Sequence, residues 1–169
     1  KQHSVLLMPM IEDLMAKTGI TPGQLTHLAV DLGPGSFTGL RIGLSVLEAM
    51  AYALDIPLYG YSSFETAAEP LRDHDRDVLV LLDALKKTFY SQAFHHGSEG
   101  SREILPPDVR SLDELQTRFG EGGSLVIAGD GLVKYGHDIA EAFPKARLIE
   151  DASINRASSL ARLCRHDVE

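Results

Sequence analysis

Leu7, Met10, Ile11, Leu14 and Met15 recur at three- and four-residue spacing, the period of one helical face. They predict a helix over 4–17 with Ser4 as its N-cap, Pro9 in or near the first turn where proline is tolerated, and Gly19 closing it. Thr21-Pro22-Gly23-Gln24 reads as a turn or a single helical turn. A short strand is expected over 27–32, a tight glycine-rich loop over 33–39, a helix over 39–54, a strand over 57–61, and a short helix through Ala68 with Ser62 and Glu65 at capping-box spacing. The polar run 72–77 reads as a solvated connector between lobes. Beyond it, Val78 to Leu82 is a near-continuous apolar strand of the kind covered on both faces, and 88–94 alternates as its antiparallel partner. A turn over 95–101 and a strand over 102–105 follow, then a helix over 111–119 capped by Ser111 and Glu114. The remainder reads as a strand over 125–128, a turn at Gly129-Asp130-Gly131, a helix over 136–143, a strand over 146–149 and a helix over 158–165. This order predicts two α/β lobes, 1–72 and 73–169.

The helix over 39–54 is apolar almost all round: Ile42, Leu44, Val46, Leu47, Met50, Tyr52 and Leu54 cannot share one narrow stripe. Such a helix is covered on more than one side, by its own sheet and by a further layer or a partner subunit. With the helix over 4–17 it predicts a homodimer interface, whose candidate residues are Leu7, Met10, Ile11, Leu14, Leu47, Met50 and Leu54.

Composition narrows the class. The 169 residues carry 24 acidic against 16 basic side chains, a net charge of −8, which disfavours a stand-alone nucleic-acid binder or docking on anionic membranes. The single cysteine, Cys164, fits a reducing, cytoplasmic compartment, and no apolar run approaches the roughly 20 residues of a membrane span. The seven histidines show no metal-ligand spacing, so no metal site is expected; adjacent His95 and His96 face opposite ways on a strand. No nucleophile elbow surrounds Ser36, so no catalytic residue is assigned. Asp83 and Asp130 read first as turn residues. Gly35, Ser36, Thr38 and Gly39, between a strand and a helix, leave two readings. One is a phosphate loop at a helix N-terminus; the other is a structural turn in which Ser36 or Thr38 caps the helix. The absence of Lys after the last glycine argues against a P-loop and favours the second.

The stretch Leu28-Ala29-Val30-Asp31-Leu32-Gly33-Pro34-Gly35-Ser36-Phe37-Thr38-Gly39-Leu40-Arg41-Ile42-Gly43 closely resembles the TsaB (YeaZ) family. His3-Ser4 with the Leu-Leu-Met-Pro run after it, Ile56-Pro57-Leu58, Ser62-Ser63-Phe64-Glu65, Leu82-Asp83-Ala84 and Ala128-Gly129-Asp130-Gly131 extend the resemblance over most of the chain. It implies a two-lobed actin/Hsp70/sugar-kinase-like (ASKHA) α/β fold. Against that pattern the chain opens directly on a helix and without a methionine, so the first lobe reads as lacking its initial strands. The resemblance also implies a non-catalytic subunit in the making of N6-threonylcarbamoyladenosine at tRNA position 37. Its implied partners are TsaD, as a heterodimer, a second copy, as a homodimer, and TsaE in a ternary complex. tRNA and ATP or ADP would be held by the complex rather than by this chain. Asp83-Ala84-Leu85 lacks the family's arginine, and no helix here carries the catalytic paralogue's histidine-rich metal motif. The competing reading is an ASKHA-type ATPase or phosphotransferase that uses 33–39 on phosphate.

Overall fold

Apolar alternation builds a β-α-β crossover in one unit and a mixed five-stranded sheet in the other. The computed structural model describes residues 3–72, 75–120, 124–150 and 157–168, with side chains from Leu6 onward. One unit takes Lys1–Ser63 with Leu160–Glu169, the other Phe64–Ser159. The division expected between 72 and 73 thus falls earlier, and the last helix groups with the first unit. The reason lies in the bonding: Leu32 N–H donates to Tyr61 C=O and Ser63 N–H to Gly33 C=O, which ties the chain up to Ser63 to the first sheet. Phe64, Ala67 and Ala68 instead bury against the second sheet. Of the expected connector, Asp73 and His74 lie outside the described residues, and Arg76 and Asp77 already belong to a strand.

In the first unit, α1 (His3–Thr18) packs on α2 (Phe37–Leu54), which crosses between parallel strands β1 (Leu28–Asp31) and β2 (Leu58–Tyr61). Pro9 falls inside α1, the seventh residue from His3, rather than in its first turn. The side chain of the expected cap, Ser4, lies outside those described. Ala29, Tyr59 and Tyr61 share one face of the strand pair and close a small core with Leu160, Leu163 and Cys164 of α6 (Ala157–Val168). The Tyr61 hydroxyl donates to Asp167 Oδ2 at 2.7 Å. Burial first, then that carboxylate, holds the phenol protonated far above its ordinary range, and burial likewise raises the Cys164 thiol.

Helix α2 is long and apolar. By length and composition alone it is apolar enough to cross a membrane, with 18 residues at a mean hydropathy of 1.2. Arg41 and Glu48 are its only charges, and they interrupt every contiguous apolar run. No residue of it is fully buried.

The second unit orders its strands β5 (Gly100–Ser111), β4 (Thr88–Gly97), β3 (Arg76–Asp83), β6 (Leu125–Ala128) and β7 (Arg147–Leu148). Pairing is antiparallel across β5, β4 and β3 and parallel across β3, β6 and β7. β3 is covered on both faces, as its continuous apolar run predicts. Leu79 and Leu81 join the core under α4 (Leu112–Phe119) and α5 (Gly131–Ala142), while Val78, Val80 and Leu82 pack with Phe64, Ala67 and Ala68 of α3 (Ser63–Ala68). The Ser111–Glu114 capping box forms, with Ser111 N–H donating to Glu114 Oε2 at 2.7 Å. β4 and β5 run longer than expected, because ladder pairing carries His95 and His96 and tolerates Pro106-Pro107 on an edge strand. Helix α5 starts at Gly131 instead of 136, with a kink at Tyr135.

Candidate functional site

Asp31 ends β1 and organises the glycine-rich loop. Its Oδ1 accepts from Gly33 N–H and from the Ser63 hydroxyl, both at 2.7 Å, the geometry of an Asx turn tied to the next strand's exit. Sequence reasoning passed over Asp31; the available signal was an Asp placed two residues before a Gly. Ser36 Oγ accepts from Gly39 N–H at 3.4 Å and caps α2, so Ser36 and Gly39 come together as a helix cap. Gly35 and Thr38 are exposed and take no part in it.

The residue in this loop that must be glycine is Gly33. Its φ is +91°, and an added Cβ would lie 2.8 Å from Leu40 Cδ1. Gly35, two residues on, has no positive φ and open space around it. Gly33→Ala is expected to cost about 1–3 kcal/mol and Gly35→Ala less than about 0.5 kcal/mol. Urea denaturation of the two variants checks this, and equal losses would contradict it.

Asp83 and Asp130 serve turns, as read. Asp130 Oδ1 accepts from Asp83 N–H at 2.9 Å, and Asp83 Oδ1 accepts from Leu85 N–H at 2.8 Å. Asp83 Oδ2 meets Lys134 Nζ at 3.3 Å, and the Tyr135 and Asp83 contacts raise the ammonium's pKa. His95 points away from buried His96 and pairs with Asp77 at 2.8 Å. Among the described residues, no group of three or more His, Cys, Asp or Glu side chains gathers around a point that could hold a metal.

Among the described residues of the first unit, exposed apolar side chains gather on α1 and α2. Met10 and Leu14 of the predicted interface are 65% and 62% exposed, on a helix that also exposes Leu6 and Met8. Leu7, Ile11, Leu47, Met50 and Leu54 are half-buried within the unit itself, so each has only part of its surface left for a partner. On α2 the open side carries Phe37, Arg41, Ser45, Glu48 and Tyr52 instead. A groove of about 420 Å³ runs along its first half, lined by Phe37, Thr38, Arg41, Ile42, Ser45 and Val46. The Arg41 guanidinium sits 5.5 Å over the Phe37 ring.

A family model described as TsaD, tRNA N6-adenosine threonylcarbamoyltransferase, matches residues 1–158. The tRNA threonylcarbamoyladenosine biosynthesis protein TsaB of Bacillus subtilis is 33% identical over 106 residues, covering 63% of this chain and 46% of that protein. TsaB of Buchnera aphidicola (subsp. Schizaphis graminum) is 33% identical over 155 residues, covering 88% and 73%. The solved structure of YeaZ from Pseudomonas aeruginosa superposes with a TM-score of 0.78 at 22% identity, over 99% of this chain and 79% of that one. The chain spans about half the length of the first curated relatives it matches.

Proposed function

The chain belongs to the TsaB (YeaZ) family and has its actin-like ASKHA α/β fold, and from that premise we propose that it is an accessory subunit of the machinery that makes N6-threonylcarbamoyladenosine at tRNA position 37. In this reading it pairs with TsaD through α1 and α2 and raises TsaD's activity, self-associates through the same face, and works in the cytoplasm. TsaE joins the pair, and tRNA and nucleotide are held by the assembled complex. The observation that carries the reading is the set of exposed apolar side chains on α1 (Leu6, Met8, Met10 and Leu14) with Phe37 and Tyr52 on the open side of α2, a grouping that suits a partner surface. Engagement of Ser36 in the α2 cap supports a structural loop over the phosphate loop of an ATPase.

The test is complementation in bacteria depleted of their own TsaB, with threonylcarbamoyladenosine in bulk tRNA measured by nucleoside mass spectrometry. The full-length protein is expected to restore the modification and to co-purify with TsaD. Met10→Glu with Leu14→Glu places two charges on exposed positions, where folding tolerates them but an apolar interface does not. The double variant should lose both readouts. A wild-type protein that neither restores the nucleoside nor captures TsaD would overturn the proposal.

A further inference from the structure

At its hairpin end the β4–β5 pair bears a cavity of about 400 Å³, lined by Asp75, His95, Ser98, Glu99, Ser101 and Arg102 with two glycines as its floor. The register explains the cavity. Asp77, His95 and Arg102 stand opposite one another on β3, β4 and β5, so their side chains form one row on one face. In the next row Gly97 pairs with Gly100, and no side chain rises there. Gly100 has a φ of +106°, as the turn requires, whereas Gly97 has no positive φ. A Cβ on Gly97 would lie 3.2 Å from His95 Nε2 and 3.8 Å from Asp75 Oδ1, inside the space those two groups bound. We propose that this cavity binds a free α-amino acid, its ammonium between His95 Nε2 and Asp75 and its carboxylate on Arg102.

Unmatched hydrogen-bonding capacity selects the ligand. The Asp77 carboxylate accepts only, so its 2.8 Å contact assigns the ring proton to Nδ1 of His95. Nε2 of the neutral ring is then an acceptor, and it faces another acceptor, Asp75 Oδ1, at 3.5 Å. A cationic donor seated above Gly97 serves both. The Arg102 guanidinium has the opposite need: among the described residues no acceptor pairs with it. The Ser98 and Ser101 hydroxyls line the same cavity, and together with the guanidinium they suit a carboxylate. Neither pole alone fits, because an anion would meet Asp75 and Glu99 and a simple cation would meet Arg102. The two poles stand on directly opposed residues, whose Cβ atoms lie about 5 Å apart. That spacing suits a ligand with both charges on one carbon. The site lies wholly within the second unit and does not depend on the association proposed for α1 and α2.

Titration of the full chain, followed through the backbone amide resonances of residues 95–102 in two-dimensional NMR spectra, tests the site. L-Alanine is expected to shift these resonances saturably, while acetate and methylammonium, which carry one pole each, bind at least about tenfold more weakly. Arg102→Gln and Gly97→Ala should each weaken L-alanine binding at least about tenfold, the first by removing the carboxylate's partner and the second by occupying the ammonium's place. Arg102 is exposed, and unchanged thermal melts confirm that the variants fold. If Gly97→Ala melts early, Arg102→Gln carries the test alone. Acetate or methylammonium binding as tightly as L-alanine would reduce the site to a single-charge contact and overturn the proposal. So would an absence of saturable shifts up to the solubility limit, or L-alanine binding that the folded variants leave intact.

Discussion

Gly129→Ala is expected to destabilise the second unit by on the order of 4 kcal/mol, because among the described glycines it gives an added methyl group the least room. Gly129 has a φ of +113°, a conformation that L side chains rarely adopt, and a Cβ built on it would lie 2.2 Å from the Leu81 carbonyl oxygen. The obstacle is backbone in the middle of the sheet. Leu81 is fully buried on β3 and paired to Ser91 of β4, so it cannot step aside as a flexible side-chain tip could. The close approach has a purpose: it lets β6 turn at once into α5, so that Leu132 and Ile139 reach the core. Gly136, on the same helix, has open space and no positive φ. Gly136→Ala should therefore raise stability by up to about 1 kcal/mol, through helix propensity alone. Urea denaturation of both variants checks the pair, and a Gly129→Ala protein as stable as wild type would show that the β6–α5 turn has more room than these distances allow.

The elements that local chemistry specifies were legible in the sequence. Val78 to Leu82 announced a strand with both faces buried, Ser111 and Glu114 announced a helix start, and the region 33–39 announced a loop between a strand and a capped helix. What was not legible depends on partners distant in the chain. Arg76 and Asp77 look like connector residues until the ladder places them opposite His96 and His95. Pro106-Pro107 look like a strand end until β5 proves to be an edge, where a missing N–H costs nothing. The division after Ser63 depends on hydrogen bonds from Ser63 to Gly33 and Asp31, which no local pattern encodes. On the face proposed for association, the pattern located the helices but not their outer sides. The apolar excess of α2 pointed to Leu47, Met50 and Leu54, yet these are half-buried within the unit, and the open side falls to the mixed stripe from Phe37 to Tyr52.

Lowering the pH below about 6.5 is expected to destabilise the protein through His96, and His96→Phe should remove that part of the loss. The ring is 1% exposed, and neither of its nitrogens has a hydrogen-bond partner; Nε of Arg76, its neighbour across the ladder, is also buried and unpartnered. Its pKa is lowered from 6.5, chiefly by burial. The Ala68 backbone pulls the other way, and the charges of Arg72 and His95 add to the lowering. Because the folded value lies below the unfolded one, the two states bind protons equally well above 6.5, and the ring's titration costs nothing there. Below it the unfolded chain takes up a proton that the folded ring resists, so stability falls as pH falls, by at most about 1.4 kcal/mol per pH unit. The decline ends once pH drops below the folded value. Phenylalanine suits the site because the ring stacks on Phe94 with planes 5° apart and uses neither nitrogen. Unfolding free energies from pH 8 to pH 5 should therefore match for wild type and His96→Phe, up to a constant offset, above 6.5 and diverge below it, with the variant increasingly the more stable. Parallel curves across the whole range would mean that His96 is protonated as readily in the folded chain as in the unfolded one.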